Sequence, residues 1–185
     1  MKLTREEVMF LQRSLADLKR DRDVQSMRRF RKHGQTDTYH HCERVAFYSL
    51  WLAHRCAPVW KCMGIRLDYR SLVRGAFLHD FYLYDWYKQK SPHSFHVAVH
   101  PALALKNASM RFDLSSKETD IIRNHMWPLT PDHYPRSIEA FLVTLTDKAS
   151  AAGETFLPGG KRATRNSLDQ TRRRSSNTPK QSRHS

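Results

Sequence analysis

The chain has 185 residues, 39% of them apolar, and a formal net charge of +14. That length can bury the core of one domain with appendages, and no apolar run nears the ~20 residues of a membrane span. The charged start, Met1-Lys-Leu-Thr-Arg-Glu-Glu7, carries no export signal, and Cys42, Cys56 and Cys62 are odd in number and lack CxxC spacing. Together these features predict a cytoplasmic protein with reduced thiols, without a membrane-spanning apolar helix or a disulfide framework.

Thr4 to Arg20 reads as a helix capped by Thr4, with Glu6 and Glu7 in its first turn and Val8, Leu11, Leu15 and Leu18 at helical spacing. A shorter helix is expected from Val24 to Lys32, ended by Gly34. Its Arg28, Arg29, Arg31 and Lys32 read as a solvated face, the commoner meaning of such a run, or as a phosphate-binding patch. Tyr39 to Arg55 is the next helix, capped by Asp37, and the spacing of His41, Val45, Tyr48 and Leu52 puts His41 on its apolar face. His40 points elsewhere.

Pro58 and Gly64 mark a connection, and Asp68 caps a helix in which Leu72, Val73, Ala76, Phe77 and Asp80 share a broad inward face while Arg70 and Arg74 take the other. An inward Asp80, beside His79, is expensive unless something cationic meets it. Tyr82 to His93 reads as a loop. Pro101 favours a first helical position, so His100 is expected at the start of a helix from Pro101 to Met110, with His96 in its lead-in. Ser115-x-x-Glu118 is a capping box opening a helix that carries Ile121, Ile122 and His125 on one face, stopped by Pro128. The last helix, Ser137 to Ala152, is apolar nearly all round from Ala140 to Leu145, hence expected to be buried, and it turns Asp147 inward. Gly153 and Pro158-Gly-Gly end the domain. From Lys161 on there are eight Lys/Arg against one acid, Asp169, among Ser, Thr, Asn and Gln. Such a tail cannot offset its ordering entropy by burial and reads as disordered.

Five helices thus each deliver a His or Asp to a buried face or its end: His41, His79 with Asp80, His100, His125 and Asp147. A buried histidine taken singly is more often a satisfied core residue than a ligand. Four inward imidazoles and two inward carboxylates together require compensating charge, which one or two divalent transition-metal ions (Mn, Fe, Co, Ni or Zn) provide.

The ordered contexts Tyr39-His-His41-Cys-Glu-Arg-Val-Ala46, Gly75-Ala-Phe-Leu-His79-Asp80, His100-Pro101, Ile121-Ile-Arg-Asn-His125 and Leu145-Thr-Asp147-Lys148 resemble the HD-domain superfamily of metal-dependent phosphohydrolases. The resemblance covers roughly residues 35 to 152. It implies an all-α, HD-domain-like helical bundle with the metal site at its centre: an N-terminal helical extension (1–34), the HD domain (35–157) and the disordered basic tail (158–185). By that likeness His41, His79, Asp80 and Asp147 hold one metal, and Asp80 bridges to a second bound by His100 and His125. Leu83 stands where HD-GYP cyclic-dinucleotide phosphodiesterases carry a lysine, and Asn124-His125 where they pair histidines. Leu83-Tyr84 replaces the acidic pair of (p)ppGpp hydrolases. Both subclasses are disfavoured, and His96 has to stand in for a missing ligand of the second metal.

The expected activity is hydrolysis of a phosphomonoester or phosphodiester, of a nucleotide, by metal-bound hydroxide. Asp80 and Asp85 are the candidate catalytic carboxylates. Tyr82, Tyr84, Trp86, Tyr87 and Trp127 offer rings for a nucleobase, with ordinary packing at least as good a reading, and Lys88, Lys90 and Arg136 offer cations for phosphate. Lys88, Trp127 and Arg136 are the substrate-binding candidates. Two other classes stay open: a catalytically degenerate HD module that binds metal and nucleotide as a regulator, and a tail that makes non-specific, salt-dependent contact with nucleic acid. No membrane partner is expected.

Overall fold

The computed structural model describes residues 1–33, 36–84 and 93–156, without the side chains of residues 33, 93–97 and 156. The described chain is mostly helical, with one short hairpin. Helix α1 (Arg5–Ser14) starts where local chemistry dictates. The Thr4 hydroxyl accepts the Glu7 N–H at 3.2 Å, and the Glu7 carboxylate accepts the Thr4 N–H at 2.7 Å. The helix is shorter than expected: a separate 3-10 turn, Leu18–Arg20, carries the last apolar residues, and Leu15 and Leu18 are fully buried.

The expected helix from Val24 to Lys32 is not there. Helix α2 is only Arg22–Ser26, followed by a 3-10 turn, Met27–Arg29. Strand β1 (Arg31–His33) then pairs antiparallel with β2 (Thr36–Asp37), Arg31 opposite Asp37. Phe30 fixes the base of this hairpin, its carbonyl accepting the Thr38 N–H at 2.8 Å and hydroxyl at 3.1 Å. The hairpin runs straight into α3 (Thr38–Arg55), whose N-terminus is capped by Asp37 accepting the His40 N–H at 2.9 Å.

The Pro58–Gly64 connection holds a short helix, α4 (Ala57–Cys62). Gly64 closes it at φ 68°, in the left-handed region where a side chain is strained. Helix α5 (Tyr69–Leu78) begins at Asp68, which accepts the Ser71 N–H at 3.0 Å, and has His79 as its C-terminal cap. Arg70 faces out as expected. Arg74 does not: it is buried, because α1 and α7 cover the face of α5 opposite Asp80.

Helix α6 (His93–Ser109) runs through Pro101 instead of starting there. A proline removes one main-chain donor, and packing of the buried face formed by His100, Ala104 and Ala108 outweighs that loss. Helix α7 (Ser116–Asn124) opens on the Ser115/Glu118 capping box and ends at His125. Helix α8 (Ile138–Phe156) continues past Gly153. It is not buried all round: Ala140, Leu142 and Val143 are in the core, whereas Phe141 and Leu145 are 46% and 51% exposed.

Helix α5 lies between α3 and α7, α8 packs on both of these, and α6 packs on α7. Gly75 permits the close approach of α5 to α7, since a Cβ there would stand 2.6 Å from Ile121 Cδ1 and 2.9 Å from its Cβ. The core of Leu50, Leu72, Phe77, Leu78, Ile121, Ile122 and Val143 surrounds this junction. No helix among the described residues is long and apolar enough to cross a membrane. The three cysteines are free, Cys42 being buried. The tail from residue 157 lies outside the described residues.

Candidate metal centre

The six expected ligands arrive from five pieces of backbone, each placed there by a local cause. The Asp37 cap sets the start of α3 and so the face that carries His41. The C-terminal end of α5 delivers His79 and Asp80, α6 delivers His100, the end of α7 delivers His125, and the inward face of α8 delivers Asp147. All six are buried: His41, His79 and Asp80 are fully excluded from solvent, and Asp147, at 7%, is the most exposed.

Five of them form two groups that share Asp80, and Asp147 stands beside the first. In the first, His41 Nε2 is 3.0 Å from Asp147 Oδ1 and 3.7 Å from Asp80 Oδ2, while His79 Nε2 is 3.2 Å from Asp80 Oδ2 and 3.5 Å from Asp147 Oδ1. In the second, His100 Nε2 and His125 Nε2 are 2.9 Å apart and lie 3.3 Å and 3.7 Å from Asp80 Oδ1. Asp80 turns one oxygen to each group. Both groups have donors close enough to hold a metal ion.

The outer hydrogen bonds decide which ring nitrogens face inward. His79 Nδ1–H donates to the Ala76 carbonyl at 2.8 Å and His125 Nδ1–H to the Ile122 carbonyl at 2.9 Å, which turns each Nε2 towards the cluster. His41 Nδ1 meets Glu154 at 3.1 Å and 3.2 Å, and Arg44 donates to the same carboxylate at 2.9 Å. Its Nε2 faces Asp147 Oδ1 at 3.0 Å; burial disfavours the His41 imidazolium, but the Asp147 and Glu154 carboxylates on its two nitrogens raise its pKa. His79 Nε2 and both Asp80 oxygens are fully buried and make no hydrogen bond of good geometry, although Lys32 Nζ stands 2.6 Å from Asp80 Oδ2.

The charges agree with this reading. Burial pushes the Asp80 carboxyl up, but Lys32 and His79 hold it well below the usual carboxylate range, and Asp147 is held low against its burial by His41 and His79. Burial disfavours the His79 imidazolium, yet Asp80 and its neighbours raise its pKa well above the ordinary value. Burial and the charges of His79 and His100 drive His125 well below its own. The first group attracts positive charge, and the second keeps a neutral imidazole, the form that binds metal.

Two residues at this site were not expected. Lys32, read as part of a solvated face or of a phosphate-binding patch, is 6% exposed, and its Nζ stands 2.6 Å from Asp80 Oδ2. Glu154, beyond the expected end of the last helix, is buried behind His41. Lys148 closes another edge, donating to the His125 carbonyl at 2.9 Å.

The substrate-binding candidates are scattered. Trp127 follows His125 closely, half-buried, with its ring 6.5 Å from that of Phe141. Arg136 is exposed; its N–H donates to Asp120 and its guanidinium lies 5.8 Å from the Tyr134 ring centroid, so these contacts do not join it to the cluster. Tyr82 is fully buried, 5.6 Å from the His100 ring, and packs as a core residue without a face for a nucleobase. Asp85, Trp86, Tyr87, Lys88 and Lys90 lie outside the described residues, and so does the side chain of His96. His40 bonds to Asp37 and Arg28, away from the cluster. Surface pockets beside α4 and beside the N-terminus of α1 do not include any of the six ligands.

No family model matches the chain, and comparison with curated proteins and with solved structures yields no match.

Proposed function

We propose that this chain is an HD-type, metal-dependent phosphohydrolase acting on a phosphomonoester or phosphodiester, with a nucleotide as the favoured substrate class. One divalent transition ion (Mn, Fe, Co, Ni or Zn) would sit on His41, His79, Asp80 and Asp147, and a second between Asp80, His100 and His125. The observation that carries this reading is the convergence of four buried imidazole Nε2 atoms on Asp80, in two groups close enough to hold an ion, with Asp147 beside the first. The ordered likeness of these residues to the HD superfamily adds the reaction class.

A bound divalent ion supplies an acidified water and neutralises charge on a phosphoryl oxygen. The protein supplies the rest. Ala76, Ile122 and Glu154 fix the imidazoles, so the donors need not reorganise. Asp80 ties the two groups together through its two oxygens. The Glu154 charge is already answered by Arg44 at 2.9 Å, which leaves Asp80 and Asp147 as the anions of the cluster, partly offset by Lys32. A single divalent ion makes this centre net cationic, and such a buried centre selects an anionic ligand over a neutral ester.

The test is a screen of phosphomonoesters, nucleotides and a phosphodiester with protein loaded separately with Mn2+ and Co2+. We expect multiple turnovers with at least one, abolished by chelation and by Asp80→Asn. Stoichiometric metal without turnover of any phosphoester would leave a binding module in place of an enzyme.

A further inference from the structure

Resting on the phosphohydrolase reading, we propose that Lys32 is a substrate-binding residue that holds a phosphoryl oxygen against the metal centre. Lys32 reaches the cluster from β1, and its hairpin partner β2 continues without a break into the helix that bears His41. Its ammonium is therefore positioned by the same piece of backbone as a metal ligand. The side chain is 8% exposed, its Nζ is 2.6 Å from Asp80 Oδ2, and the Tyr82 ring centroid lies 5.2 Å away.

Asp80 Oδ2 is the same oxygen that faces His79 Nε2 at 3.2 Å and His41 Nε2 at 3.7 Å. An ion in that group and the Lys32 ammonium would thus compete for one oxygen. Two cations this close in a buried site repel strongly unless an anion lies between them. A phosphoryl group meets that need: one oxygen turns to the metal and another accepts from the lysine, which acts as a compact point charge with rotatable donors. The ion pair with Asp80 is then the resting position of a phosphate-binding group. A metal ion on Asp80 would supply the counter-charge that the carboxylate loses when the ammonium turns to the phosphoryl group.

The experiment uses the full chain, with Mn2+ and inorganic phosphate as probes, followed by isothermal titration. Wild type, Lys32→Met, Lys32→Gln and Lys32→Arg are compared, the Gln variant standing in should the Met variant fail to fold. We expect Lys32→Met and Lys32→Gln to bind Mn2+ at least as tightly as wild type. Their Mn2+-loaded forms should bind phosphate roughly tenfold to a hundredfold more weakly, the size of one charge-assisted hydrogen bond. Lys32→Arg should stay within about threefold of wild type, since the charge is kept. Unchanged phosphate affinity with Mn2+ binding intact would overturn the proposal. So would loss of Mn2+ binding in Lys32→Met and Lys32→Gln, which would make Lys32 a structural counter-ion of Asp80. Absence of Mn2+ uptake by wild type would overturn the metal reading together with it, and that control tells the two failures apart.

Discussion

Arg74, on α5, and Asp80, just past the end of that helix, are buried charges with opposite surroundings. The Arg74 guanidinium donates to Glu118 at 2.7 Å, to both Asp17 oxygens at 2.7 Å and to the Ser14 carbonyl at 3.2 Å. Donors meet acceptors, and the network closes on itself between α1, α5 and α7. Around Asp80 the carboxylate has four imidazoles and one ammonium within 3.7 Å, crowded together without a closed set of well-aligned hydrogen bonds. The first arrangement is complete as a piece of structure. The second gathers imidazoles from four helices on one carboxylate, an arrangement that could hold an added ion. Buried charge by itself does not mark a functional site; convergent ligating groups without a closed hydrogen-bond network do.

The largest effect we expect from breaking the comparison is at the closed network. Arg74→Ala leaves Glu118 buried and unpaired, which should cost about 3–5 kcal/mol in urea denaturation of the metal-free protein. Metal stoichiometry of the folded fraction should not change. A change in metal binding of the same relative size as in a ligand variant would mean that the two clusters are one system.

Glu154→Gln sharpens the other side. It removes the carboxylate that orients His41 without touching the inward donors, so metal affinity should fall roughly tenfold to a hundredfold with stoichiometry kept. A competition titration against a chelator reads this directly, and an unchanged affinity would show that His41 is held by packing alone.

Capping explains why the helix starts were legible in the sequence. Thr4, Asp37, Asp68 and Ser115 act on N–H groups within three residues of themselves, so nothing distant intervenes. The convergence of the six candidate residues was legible because each combines a ligating side chain with a position on, or at the end of, an apolar face. Lys32, Arg74 and Glu154 were not. A three-residue strand has no period to read, and Arg31-Lys32 following Arg28-Arg29 looks like solvated charge. Arg74 lies opposite the recognised face of α5, and only the return of α7 and the N-terminal segment buries it. Glu154 meets a partner 113 residues away and lies past a glycine that reads as a helix end but is carried through by α8. The helix continuing through Pro101 is the same lesson: packing overrode a local signal.

The smallest effect is at the rim of the closed network. Burial pushes the Asp17 carboxyl up, but the hydrogen bonds and charge of Arg74 outweigh that and hold it below its ordinary value. A depressed carboxylate stabilises above its unfolded pKa and loses that contribution as pH falls through the folded one. Asp17→Asn should therefore cost a few tenths to about 1 kcal/mol at pH 7, discounted because the side chain is 56% exposed. The gap to wild type should close as pH drops below about 4. A gap independent of pH would assign the effect to packing.

The central claim is that the open cluster holds a divalent ion, and elemental analysis of metal per chain tests it most directly. Wild type, Asp80→Ala and Arg74→Met should be purified without added metal and then supplied with Mn2+ or Co2+. The account predicts one or two ions in wild type and in folded Arg74→Met, and none retained by Asp80→Ala. No ion in wild type, and no uptake when one is supplied, would contradict it and leave the His/Asp cluster as a buried network closed by Lys32 alone.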